Sequence, residues 1–459
     1  MKTLAYVAAA TLSLMAGIAN AQQITDFGDE DRMGAFNLGS LAKLSISGFA
    51  YGEYGRYTNQ SEGLLNCLYT PDPRGVFGKG ISGGPFCQPG PSQTASGPPL
   101  NLISLSAGAS HEFDSAWKVD AKITTRDRNG SADLYANTVV EKNVAASHPV
   151  YGEVRFGTQL SRSWSRSDSF TYPLGISKEW SETGAGYGLL KEAIRYTSAP
   201  IEINGSKLVL EGTYATNNIN FAHNAYTVLY NEQPPRPKLG EFFAQYANDV
   251  NLIELVWQDS RGGLQSSFSK GTLIGDVGNA DNLPNYYAPH ENVVILQGDH
   301  YFSPAWKLTL GAKRSYWSGS MRQCDYVTGI GCYFSNDGFN NDVDNQGHPA
   351  KEYDFMGGLS YITGPWIYTA AFVRYNKAYT KTPTEWGQSN TADYFNLGVY
   401  RNLPEISQHL QVNAELGYVH FGGFDPAPLA MQNELTNFGT DPRSQTSSVG
   451  LSVGILFKF

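Results

Sequence analysis

The end of the chain states the main constraint. In the stretch closing at Phe459, residues Val449, Leu451, Val453, Ile455, Phe457 and Phe459 fall at alternate positions. Between them fall Ser448, Gly450, Ser452, Gly454 and Lys458, with Leu456 the exception. A period of two means an extended strand with one apolar and one polar face. Ile103, Leu105, Ala107 and Ala109 alternate in the same way with Ser104, Ser106, Gly108 and Ser110, and the pattern returns over 117–126 and 409–419. In a soluble sandwich each apolar face would need a second sheet to cover it. Here the polar faces carry Gly, Ser, Lys, Glu and Arg. Lipid outside and water inside satisfies both faces, and closure of the sheet pairs every backbone group. The expected fold is therefore all-β, a transmembrane antiparallel β-barrel.

Strands are expected near residues 41–57, 102–112, 117–128, 132–142, 150–159, 193–198, 207–216, 251–259, 264–272, 292–302, 306–317, 352–362, 366–377, 392–402, 409–421 and 446–459, sixteen in all. An even count returns both termini to one side. Connections alternate in length. Those at 111–116, 303–305, 363–365 and 404–408 are short, and those at 58–101, 160–192, 217–250 and 318–351 are long. Short turns on one side and long loops on the other are the pattern of an outer-membrane barrel. Trp117, Trp306, Trp366, Tyr301 and Phe302 sit beside short turns, where an interfacial aromatic girdle belongs.

The N-terminus has Lys2, an apolar stretch from Leu4 to Ile18 and then Ala19-Asn20-Ala21, the form of a cleaved secretory signal peptide over residues 1–21. Residues 22–40 read as an N-terminal periplasmic arm and 41–459 as the barrel, which places the protein in a bacterial outer membrane. Its expected surroundings are outer-membrane lipid and lipopolysaccharide. The formal net charge of −9 argues against nucleic acid as a partner. Charged residues are only 16% and aromatics 13%, fewer charges than the roughly 25% of a soluble domain. The four cysteines, Cys67, Cys87, Cys324 and Cys332, allow three pairings. Each neighbouring pair closes a short Gly/Pro/Asn-rich segment, so in an oxidising compartment Cys67 with Cys87 and Cys324 with Cys332 are expected as loop staples.

Three short stretches bear a resemblance. Phe156-Gly157-Thr158-Gln159 precedes a long loop, Arg195-Tyr196-Thr197-Ser198-Ala199-Pro200 follows it, and the chain closes on Phe459. In these the sequence resembles the Gram-negative general porins, trimeric barrels of sixteen strands. Thr158 stands where that family usually has Arg, and Ala199 separates Ser198 from Pro200, so an eighteen-stranded substrate-specific channel stays open. The resemblance implies a homotrimer, with Gly48, Ala50 and Gly52 as small residues on the first strand. It also implies that the long loop 160–192 folds inward as a constriction.

That loop carries Asp168, Glu179 and Glu182, with Arg162, Arg166 and Lys178 among them. Strand parity nominates wall charges. If Val119, Ala121 and Ile123 face lipid, then Lys118, Lys122 and Arg126 face the lumen. Apolar or aromatic neighbours likewise turn Arg155, Arg195, Lys313 and Arg374 inward, because a cation facing lipid near the midplane costs about 2–4 kcal/mol. Basic wall against acidic loop would sort solutes by size and charge without tight binding. The alternative is that these cations pair with Glu153, Glu211, Glu254 and Glu415. The expected function is passive diffusion of small polar solutes and ions through a water-filled pore, or else a channel specific for sugars, aromatic acids or amino acids. The acids of 336–347 match a calcium loop poorly, since Gln346 occupies a ligand place and the distal acid is displaced to Glu352. No metal and no cofactor are expected. The eight histidines form no compact motif with Ser and an acid, and G-x-S-x-G is absent, so no enzyme is expected.

Overall fold

The computed structural model describes residues 32–37, 42–58, 94–96, 100–128, 131–132, 139–181, 183–186, 188–216, 238–261, 290–318, 350–377, 391–422 and 447–459. Sixteen strands make the wall: β1 (Lys43–Thr58), β2 (Leu100–Glu112), β3 (Lys118–Arg128), β4 (Val139–His148), β5 (Gly152–Leu160), β6 (Leu189–Thr197), β7 (Ser206–Ala215), β8 (Lys238–Ala247), β9 (Asn251–Arg261), β10 (His290–Ser303), β11 (Trp306–Ser318), β12 (Ala350–Thr363), β13 (Trp366–Tyr375), β14 (Ala392–Asn402), β15 (Leu410–Phe421) and β16 (Ser447–Lys458). Each pairs antiparallel with its sequence neighbour, and β16 pairs with β1 from Phe49↔Lys458 to Tyr57↔Gly450, which closes the barrel.

Closure ends on the last residue. Gly48 N donates to Phe459 O at 2.7 Å and Phe459 N donates to Gly48 O at 2.9 Å. The chains approach so closely there that a Cβ at Gly48 would lie 2.2 Å from Ser104 O. Arg32–Asn37 pairs antiparallel with Lys43–Ser47. Part of the expected arm is thus a strand segment that continues the sheet past the terminal seam. Residues 1–21 and all four cysteines lie outside the described residues, as does the loop 336–347.

The alternation seen in the sequence is the alternation of the wall. On β16, Leu451 is 56% exposed on the outer face while Ser452 is 8% exposed inside. Outer-face side chains such as Ile103, Val144, Phe156, Leu310 and Leu397 form the same apolar exterior around the barrel. Beside the short turns Trp117 stacks with Tyr151 at 6.1 Å, and Trp366 with Tyr368 at 6.2 Å, a girdle suited to the lipid interface. One hairpin is set by Asn204-Gly205, whose φ values of 48° and 80° fit a two-residue turn between Ile203 and Ser206.

Two strand expectations differ. The range 264–272 lies outside the described residues, whereas β8 occupies Lys238–Ala247, inside the stretch read as a long loop. Its inward residues are Leu239, Glu241, Phe243, Gln245 and Ala247, and Phe242 and Tyr246 point outward, so neither face is cleanly polar and the period vanishes. The strand expected at 132–142 lies further on, at Val139–His148; Ser131–Ala132 also pair with β3.

A depth test follows. Val453→Arg, on the outer face of β16, should cost about 2–4 kcal/mol in a denaturant titration of the protein refolded in phospholipid vesicles. Ser452→Lys, one residue away on the wet face, should cost under about 1 kcal/mol by the same measurement.

Candidate functional site: the loop inside the barrel

The segment between β5 and β6 turns into the barrel. It forms helix α1 (Arg162–Thr171) and a single turn, α2 (Ser177–Ser181). Ser161 caps α1, its Oγ accepting from Trp164 N at 3.1 Å. The free amides of the first turn then meet a carboxylate from the wall. Arg162 N and Ser163 N donate to the two oxygens of Glu241 on β8 at 2.9 and 3.3 Å. An anion there is favoured twice, by hydrogen bonds and by the positive end of the helix dipole.

Charge fixes the rest of α1. Arg162 grips Glu211 on β7 with two N–H groups at 2.8 and 2.9 Å, and Arg166 reaches Glu254 on β9 at 2.6 Å. Arg195 on β6 lies beneath the helix, 1% exposed, bonded to Glu211 at 3.0 Å, Glu241 at 3.5 Å and Leu160 O at 2.8 Å. Three guanidinium groups thus face three carboxyl groups, all buried. Gln245 and Gln297 supply further donors to Glu254 at 2.7 and 3.2 Å, and Gln258 donates to Glu241 at 2.9 Å. Buried charges need this density of partners to be tolerated.

Past α1 the contacts are apolar. Phe170, Leu174, Ile176 and Trp180 pack against Phe243, Val256, Val293, Ile295, Met356 and Val373, a hydrophobic core inside the barrel. Gly358 on β12 makes room for it, since a Cβ there would lie 2.5 Å from Leu174 Cδ1. Trp180 donates from its indole to Gln297 at 3.1 Å, and Lys313 donates to Thr183 O at 3.0 Å and also to Trp180 O. At the far side Tyr172 donates to Gln411 and Tyr375 donates to Glu179 O. The loop crosses the lumen and is tied at both ends and the middle.

What remains open is a cavity of about 270 Å³ between the loop and the wall made by β1–β3 and β14–β16. Its ionisable lining is Glu53, Asp168, Glu179 and Glu415 against Arg126, and among these sit Phe49, Tyr51, Trp164, Tyr172, Tyr394 and Tyr400. Asp168 accepts from Ser177, and Arg126 lies over the rings of Phe49 and Trp164, 5.6 and 5.2 Å from their centroids.

The nominated residues are distributed as follows. Asp168 and Glu179 line the cavity, and Glu182 lies outside the described residues. Lys118, Lys122 and Arg126 share the inward face of β3, and Lys122 pairs with Glu141 at 3.0 Å. Arg155 bonds Glu153 at 2.9 Å and Asn143 at 2.6 Å on the inner wall. Arg195 and Lys313 point inward but beneath the loop, so they hold it rather than face the open lumen. Arg374 is a correction. It shares the outer face with Tyr368 and Phe372, while its neighbours Val373 and Tyr375 are fully buried inside. Those neighbours are apolar because they face the core under the loop, which defeats the assumption that apolar means lipid. Arg374 pairs instead with Asp393 on β14, near the long-loop rim. The wall acids Glu241 and Glu53 and the tyrosines of the cavity were not singled out in the sequence. The alternation of Tyr51 with Glu53, both on the polar face of β1, was the available signal.

No family model matches the chain, and no curated protein matches it. Solved structures do. Over 91% of this chain it superposes on the whole of an anion-selective porin from Comamonas acidovorans, with a TM-score of 0.54 at 13% identity. The two share the fold of a closed antiparallel barrel of sixteen strands. OmpT of Vibrio cholerae covers 93% of this chain and 100% of its own length, with a TM-score of 0.52 at 9% identity. The outer-membrane channel DcaP of Acinetobacter baumannii covers the same shares with a TM-score of 0.51 at 11% identity.

Removing one side of the ion cluster tests it. Glu211→Ala leaves Arg162 and Arg195 facing a lost partner in a buried site and should cost about 3–5 kcal/mol in denaturant unfolding from vesicles. Glu153→Ala, at a partly exposed pair, should cost about 1 kcal/mol or less by the same assay.

Proposed function

We propose that this protein is an outer-membrane channel for passive diffusion of small polar solutes and ions, and not an enzyme. The observation that carries this reading is the loop clamped across a sixteen-stranded barrel, with a cavity left between it and the wall of β1–β3 and β14–β16. A barrel of this strand number is wide enough for an aqueous channel, and a fixed obstruction inside it is a size filter. Export by a cleaved signal peptide, contact with outer-membrane lipid and lipopolysaccharide, and a homotrimer complete the proposal. The fold of the solved neighbours supports it.

Selectivity is read from this chain's own residues. One neighbour is described as anion-selective. Here the ionisable lining of the cavity holds four acids against one base among the described residues, and that base lies over two aromatic rings. In a narrow and partly dehydrated passage such an excess favours cations. His148 stacks on Tyr151 and His300 bonds Asn251 beside the short turns.

The purified protein in a planar bilayer should give discrete conductance steps in potassium chloride. Under a salt gradient the reversal potential should have the sign of cation preference. Absence of steps would remove the channel reading, and anion preference would remove the account of selectivity.

A further inference from the structure

Most inward carboxylates of this barrel have a cation beside them. Glu141 has Lys122, Glu211 has Arg162 and Arg195, Glu241 has Arg195, and Glu254 has Arg166. Glu53 and Glu415 differ. Among the described residues neither is in an ion pair, and both line the cavity. Glu53 accepts from Tyr51 at 2.7 Å, and Glu415 accepts from Tyr400 at 2.7 Å and Asn413 at 2.9 Å. These are neutral donors, and no cation lies within ion-pair distance of either acid among the described residues.

The two acids belong to one constellation. Glu53 opposes Gly454 on β16, and Gly454 opposes Asn413 on β15, two residues before Glu415. A Cβ at Gly454 would lie 2.5 Å from Asn413 Oδ1 and 2.8 Å from the Tyr51 hydroxyl, so both reach across the same glycine. A second, independent feature points the same way. Asn396 on β14 lines the cavity, is 2% exposed, and its Oδ1 has no hydrogen-bond donor. A buried acceptor without a donor costs about 1–3 kcal/mol unless something fills the need. Asn396 Oδ1 and Glu415 Oε2 converge on the loop at Gly175, where a Cβ would lie 2.5 and 2.6 Å from them. Around these oxygens stand the rings of Tyr172 and Tyr400, 6.3 Å apart and edge to face. Next to them Phe49, Leu102 and Leu456 form an apolar shelf, with Tyr51 and Tyr172 packed on it.

We propose that this corner is a binding subsite for organic cations carrying a primary ammonium and an aromatic or aliphatic body. A primary ammonium has three donors, and the site offers two carboxylates and an idle amide oxygen. The Tyr172 ring already carries Lys458 Nζ, 5.3 Å from its centroid, so the ring of Tyr400 is the aromatic face proposed for the same cation, and the shelf takes the apolar body. A quaternary cation lacks the donors, and an anion meets two carboxyl groups and an amide oxygen. The inference deepens the channel reading and rests on it for its biological use, but binding itself needs no conduction.

The test is calorimetric titration of the full-length protein in detergent, with conductance measured separately. Benzylammonium should bind, potassium should compete weakly, and benzoate and benzyl alcohol should not bind. Glu415→Gln and Glu53→Gln should each weaken benzylammonium by about tenfold or more, as loss of a charged hydrogen-bond acceptor implies. Asn396→Leu should weaken it less. The selectivity series in the unaltered protein stands even if a variant fails to fold. Binding of benzoate or benzyl alcohol as tight as benzylammonium would overturn the subsite, as would no binding at all, or a magnesium ion held more tightly than the amine. Binding without conductance would keep the subsite and remove the channel; conductance without binding would do the reverse.

Discussion

Three arginines against three glutamates, taken out of water inside a barrel, are the constraint on which the rest of this structure turns. Arg162, Arg166 and Arg195 meet Glu211, Glu241 and Glu254 where β6–β9 pass beneath the inturned loop. Desolvating each ion alone would cost several kcal/mol, and the arrangement stands because every carboxylate has a guanidinium and at least one further donor. Breaking one pair strands its partner, so the cluster acts as a unit that fixes position more than it adds stability. Once α1 is fixed by its N-terminal turn, the direction of the following chain is set. Leu174, Ile176 and Trp180 are delivered to the apolar patch on the far wall.

The consequence is a barrel with two interiors. Under the loop, from β8 to β15, the lumen is a hydrophobic core like that of a soluble domain. Between the loop and β1–β3 and β14–β16 it is an open cavity whose lining includes four acids and several tyrosines. A loop held only by surface contacts would be free to swing, and the passage would have no fixed size. Here ionic anchoring at one end and apolar packing at the other make the obstruction part of the wall. The passage is shaped by what the loop leaves uncovered, and its charge is set by Glu53 and Glu415 on the wall together with Asp168 and Glu179 on the loop.

This division also explains what could be read from the sequence. The barrel was legible where the wall separates lipid from water, as on β16 and β2, because a period of two survives only if the two faces differ in polarity. It failed on β8, whose inner face carries Leu239 and Phe243 to meet the loop, and whose outer face is also apolar. The same cause misled the parity argument at Arg374. Its apolar neighbours face the interior core, so the charge points outward. Among the candidate site residues, parity identified side chains that face inward, such as Lys122, Arg155 and Arg195. It could not distinguish those that line open water from those covered by the loop, because that depends on contacts between residues far apart in sequence. Arg162 and Arg166 were visible in the loop, but nothing local tied them to Glu211 and Glu254.

Amide hydrogen exchange on the folded protein in micelles tests the central claim most directly, because it reports whether the loop is part of the packed structure. If the ion cluster and the interior core clamp the loop as described, amides of α1 should exchange on the timescale of the β6–β9 strands that hold them. Exchange as fast as an open surface loop, with those strands still protected, would contradict the account.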